Sequence, residues 1–138
     1  MDRSPDRDVL MKFASKSSSR VFVHLGDTVV SCQLALTPEQ QMIGLSRHAS
    51  LNSNEGMLFV FPQTQDTTFH MSTVPFPIDI VGIDERGSVT KIVQAALPGT
   101  NERWNFAKVS AVLEVPAGLV KETRTRIGSM IGTTSDLL

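Results

Sequence analysis

The chain has a single cysteine, Cys32, so no internal disulfide can form and no pair of thiolates can clamp a metal. It has almost no excess of charge: 13 Lys and Arg face 14 Asp and Glu, for a net charge of −1. That balance offers no basic face for nucleic acid and no polybasic segment for an anionic membrane. No apolar run approaches the roughly 18 residues of a membrane-spanning helix. The three histidines, His24, His48 and His70, lie far apart in sequence, whereas zinc motifs place ligands in close pairs, so no metal site is expected. There is no G-x-S-x-G elbow. "LPGTNER" lacks both the spacing and the lysine of a phosphate-binding loop, and no cofactor is expected.

What remains is an ordinary globular composition, 41% apolar and 20% charged over 138 residues, the length of one domain. Residues 1–19 read as a flexible polar leader, because serines and mixed charges there offer little to bury. The leader also lacks the apolar core of a secretory signal, which makes a reducing, cytoplasmic setting the expectation. Residues 20–132 are expected to form the folded domain and 133–138 a loose tail.

Within the domain, Val21, Val23 and Leu25 alternate with Phe22 and His24, the period of a half-buried strand. Gly26-Asp27 then turns the chain into a second strand, with Thr28, Val30, Cys32, Leu34 and Leu36 facing inward. Thr37-Pro38, followed by Gln40, predicts a capped helix start, and Gly44 its end. "GMLFVF" is apolar on both faces and predicts a central strand stopped by Pro62. "PQTQDTT" reads as a connection. "FPIDIVGID" and "SVTKIVQAAL" predict a hairpin through the Asp84–Gly87 turn, "PGTNERWNF" a loop, and "KVSAVLEV" a late strand. "PAGLVKETRTRIG" predicts a helix with Pro116 at its start and Gly128 past its end. The fold class is therefore α+β, predominantly β: a curled antiparallel or mixed sheet, or a partly open barrel, with two short helices. Met57, Phe59, Phe61, Ile78, Ile80, Val112 and Leu113 are the expected core.

Candidate chemistry gathers in "FHMSTVPFPIDIVGID". The pleat turns Asp79 away from Ile78 and Ile80 and onto the face of Val81 and Ile83. A carboxylate among apolar neighbours needs donors, and the irregular Ser72–Phe76 segment is the nearest source of free N–H groups. Pro75 and Pro77 place that segment at an edge or bulge. His70 lies just before it. Met57, Phe59, His70, Met71 and Asp79 are the candidate ligand-binding residues. Asp79 and His70 are also the candidate acid and base, should the chain be an enzyme.

Four pieces together, "TPEQQMIGLSR", "EGMLFVFP", "FHMSTVPFPIDIVGID" and "AVLEVPAG", resemble the prokaryotic domain-of-unknown-function family numbered 192, over about Val21 to Ile131. The resemblance implies a strand-rich fold with few helices. It carries over no activity, cofactor or catalytic residue. Family members typically read GL-M-x-R after the helix, where this chain has Gly44-Leu45-Ser46-Arg47-His48. They read F-W-M-K-N-T before the proline strand, where this chain has Phe69-His70-Met71-Ser72-Thr73-Val74. Any role of the family's lysine is therefore lost here. Many members look exported, which the leader of this chain does not match. The expected function is a small module, of prokaryotic or phage origin, that binds a small molecule or a protein. The alternatives are an enzyme built on Asp79 and His70, or a structural part of a larger assembly.

Overall fold

The computed structural model describes residues 20–135. The leader, expected to be flexible, lies outside the described residues, as do 136–138. Seven strands and two short helices follow one another. β1 (Arg20–Leu25) and β2 (Thr28–Ala35) form the expected hairpin, with Val21 opposite Cys32 and Val23 opposite Val30. Gly26 takes a φ of 61° at the turn, a left-handed conformation that suits glycine. α1 (Pro38–Ile43) begins with the complete capping box. Gln40 N donates to Thr37 Oγ1 at 3.1 Å, and Gln40 Oε1 accepts from Thr37 N at 3.1 Å. Gly44 closes the helix with φ 49°.

α1 serves as the crossover between β2 and β3 (Glu55–His70), which run parallel with Cys32 beside Gly56 and Ala35 beside Phe59. β3 then pairs antiparallel with β6 (Arg103–Pro116), Met57 opposite Glu114 and His70 opposite Arg103. β4 (Ile78–Ile83) lies on the other side of β6, and β5 (Val89–Ala96) forms that edge. α2 (Leu119–Glu122) follows β6, and β7 (Gly132–Ser135) pairs with β1 at the opposite edge. The sheet order is β5-β4-β6-β3-β2-β1-β7. With 55% strand and 9% helix, the fold is α+β and predominantly β.

Both faces of the sheet are apolar, so each buries a core. The inner face carries Val21, Val23, Cys32, Leu58, Val81, Ile83, Leu113 and Val115, covered by Leu119 and Val120 of α2. The outer face carries Met57, Phe59, Phe61, Met71, Ile78, Ile80, Phe106 and Val112. All seven expected core residues are buried, none more than 3% exposed. The sheet curls around the inner core without closing. A single bridge, Ser88 to Met130, ties the start of β5 to the segment before β7. Gly56 sits where three strands meet: a Cβ there would come within 2.6 Å of the Glu114 carbonyl oxygen and 3.2 Å of Cys32 Sγ. This packing accounts for a glycine at the head of "GMLFVF".

Four expectations need correction. Pro62 does not stop β3, and "PQTQDTT" is strand: the register shifts between Val60 and Gln65, and such an irregularity accommodates a proline. Nor is "PGTNERWNF" loop throughout, since β6 begins at Arg103. These outer stretches of β3 and β6 form a two-stranded arm, largely exposed, which therefore lacks the apolar alternation of a core strand. The helix expected from Pro116 to Gly128 shrinks to four residues, because Pro116 ends β6 and Arg124 turns left-handed at φ 59°. The tail is not loose from residue 133 as expected: Thr133, Thr134 and Ser135 pair with β1 in β7.

Candidate functional site

Asp79 and Glu114 are the buried acids among the described residues, 1% and 3% exposed. Asp79 faces the inner core and is fully engaged by backbone. Its Oδ1 accepts from Ala95 N at 2.8 Å, and its Oδ2 accepts from Gly118 N at 3.1 Å and Val120 N at 3.0 Å. Gly118, the residue before α2, has no side chain to cap the helix, and Asp79 supplies the acceptor from β4. Ala95 presents its N–H from a left-handed conformation, φ 52°. Asp79 is thus tied to backbone as the sequence suggested, but by these three groups and not by the Ser72–Phe76 segment. It makes no hydrogen bond to His70, which is exposed and pairs its Nδ1 with Ser72 Oγ at 2.8 Å.

Glu114 has the opposite environment. β6 places it on the outer face between Met57 of β3 and Ile80 of β4, its neighbours across the two ladders. Neither can pair with a carboxylate. Among the described residues its side chain has no hydrogen bond and no ion pair. Burial pushes its pKa from 4.5 up to about 8. The residue lines a cleft of about 390 Å³, enclosed by α1 and the turn after it, the aromatic side of β3, and the loop after β3. That volume lies in the usual range of small-molecule sites, about 300–1,000 Å³. Phe59, Phe61 and Phe69 supply the apolar wall, and Phe59 and Phe69 meet edge to face at 4.9 Å. Gln41, Thr67, Thr68, Thr73 and His70 add polar groups. Gln41 is held in place by donating to the carbonyls of Ala35 and Val60, both at 3.0 Å.

The candidate residues therefore divide. Phe59 and His70 line this cleft. Met57 lines a second cleft of about 400 Å³ beyond α1, with Glu39, Arg47 and His48, whose buried Nδ1 has no partner among the described residues. Met71 is fully buried and lines neither, and Asp79 lines neither. Cys32 is buried in the inner core, where desolvation drives its thiol pKa upward and keeps it protonated. Among the described residues no three His, Cys, Asp or Glu side chains gather as metal ligands, and no helix is long and apolar enough to cross a membrane.

Sequence reasoning missed Glu114. The signal was present in "AVLEVP", an acid at an alternating position of an apolar strand, the same pattern that singled out Asp79. The profile of a family described as uncharacterized ACR, DUF192, matches residues 21–133. The chain belongs to DUF192. Solved structures support the fold of this DUF192 chain. One from Sinorhizobium meliloti 1021, described as a proposed transcription regulator, is 26% identical with a TM-score of 0.77, over 83% of this chain and 92% of that one. A protein of unknown function from Novosphingobium aromaticivorans DSM 12444 is 29% identical with a TM-score of 0.75, over 81% and 82% of the two chains. A search of curated proteins finds no match.

Proposed function

We propose that the chain is a small-ligand-binding module whose site is the cleft between α1 and the outer face of β3 and β6. The observation that carries this reading is Glu114: a carboxyl with no hydrogen-bond partner among the described residues, 3% exposed, lining a cleft with an aromatic wall. A desolvated carboxyl without a donor to it is costly to ionise, and burial raises the pKa of Glu114 accordingly. A fold that gives Asp79 three donors but Glu114 none leaves the second carboxyl available to something else. The ligand would lay an apolar part against Phe59, Phe61 and Phe69 and put one polar group on Glu114.

An enzyme reading would rest on Glu114 with His70, which line the same cleft, rather than on Asp79 with His70. A carboxyl with its pKa pushed up to about 8 suits acid–base work, but His70 is exposed and pairs with Ser72 rather than with Glu114, and the binding module is the stronger reading. The net charge of −1 supplies no basic face, so the transcription-regulator description stays with the Sinorhizobium protein. A cytoplasmic location fits the lone reduced thiol and belongs to this proposal too.

The test is an amide chemical-shift map of the labelled protein against a library of small aromatic compounds. Shifts should cluster on Gln41–Leu45, Phe59, Phe61, Thr67–Val74 and Glu114. Shifts confined to the second cleft or to the strand edges would refute the assignment.

A further inference from the structure

We infer that the ligand of the Glu114 cleft carries an ammonium group, with an aromatic or alkyl body of modest size. This rests on the binding reading above and names the ligand class. Three observations support it. The cleft has one acid and no Lys or Arg among its lining residues, so nothing in the wall neutralises a carboxylate or repels a cation. Three phenyl rings, Phe59, Phe61 and Phe69, line the same space, and ring faces attract cations, most strongly where water is excluded. The hydroxyls of Thr67, Thr68 and Thr73 and the carbonyl of Gln41 can accept the hydrogen bonds an ammonium has to spare. An anionic ligand would meet Glu114 with no compensating charge. A neutral alcohol would gain only one hydrogen bond.

His70 is the one other titratable side chain lining the cleft; it is exposed. The cross-strand neighbours of Glu114, Met57 and Ile80, do not titrate. Binding of an ammonium then converts Glu114 to its charged form and releases one proton to solvent. The bond broken is the carboxyl O–H, and an N–H···O⁻ hydrogen bond replaces it.

The experiment compares benzylamine, benzyl alcohol and phenylacetate, titrated calorimetrically into the full chain at a pH of about 7 in buffers of different protonation enthalpy. Benzylamine should bind at least about tenfold more tightly than benzyl alcohol. It should also release a proton, seen as a buffer-dependent heat. Glu114→Gln should lower benzylamine affinity about tenfold and abolish the proton release, while lowering benzyl alcohol affinity by a clearly smaller factor. If the alcohol or the carboxylate binds as well as the amine, or if Glu114→Gln leaves the amine unaffected, the ammonium assignment falls and the cleft remains a binding site. If none of the three perturbs the cleft up to millimolar concentration, the binding reading itself falls and takes this inference with it.

Discussion

Asp79 and Glu114 sit on adjacent strands, Asp79 opposite Val115 and Glu114 opposite Ile80, yet the fold treats them in opposite ways. The inner acid, on β4, ties the bulge of β5 to the start of α2 through three backbone donors. The outer acid makes no hydrogen bond among the described residues and lines a cleft. Equal burial therefore does not mean equal role. A buried carboxylate surrounded by N–H groups is part of the scaffold. One surrounded by methionine, isoleucine and phenylalanine is a cost to stability, and such costs mark functional sites.

Removing the two acids should move stability in opposite directions. Asp79→Ala should show the largest effect, a loss of about 3–5 kcal/mol in urea unfolding, because three backbone donors, one buried and two partly buried, lose their acceptor together. A loss below about 1 kcal/mol would break the comparison from the inner side. Asp79→Asn keeps the shape but points an N–H₂ at donors, and should cost about 1–3 kcal/mol. Next comes Glu114→Gln, with the sign reversed. Between pH 4.5 and about 8 the unfolded chain carries this side chain ionised, while the folded chain holds it protonated. Folding takes up a proton across that window, so wild-type stability falls as pH rises through it. Glu114→Gln should therefore gain about 1–3 kcal/mol over wild type above pH 8, and the gain should vanish below pH 4.5. The full shift would allow more, but the glutamine amide is itself a buried polar group without a partner, which offsets part of the gain. The smallest effect belongs to His70→Ala, within about 0.5 kcal/mol in the same unfolding assay, because the ring is exposed and pairs only with Ser72. A larger loss would show that His70 is part of the scaffold and not of the cleft.

Much of the sheet could be read from the chain because its signals are local. The β1–β2 hairpin follows from a period of two around Gly26-Asp27, and α1 from Thr37, Pro38 and Gln40 within one turn. The arm of β3 and β6 was missed because an exposed ribbon has no apolar face to announce it. The need of Asp79 for donors was legible, but the donors were not: Ala95, Gly118 and Val120 lie 16, 39 and 41 residues away. Only the curl of the sheet brings them in. Glu114 was within reach of the same rule, since Val112 and Leu113 before it and Val115 after it are apolar. What the chain alone could not show is that α1 stands off the sheet above this residue and leaves a cleft.

The most direct test is a carbon-detected titration of the Glu114 side-chain carboxyl in the folded protein, assigned by its loss in Glu114→Gln. The account predicts a midpoint near 8, the mark of a desolvated carboxyl with no partner. A midpoint at or below about 5, within the ordinary range for glutamate, would mean that the carboxyl is solvated or paired, and the cleft would lose its anchor.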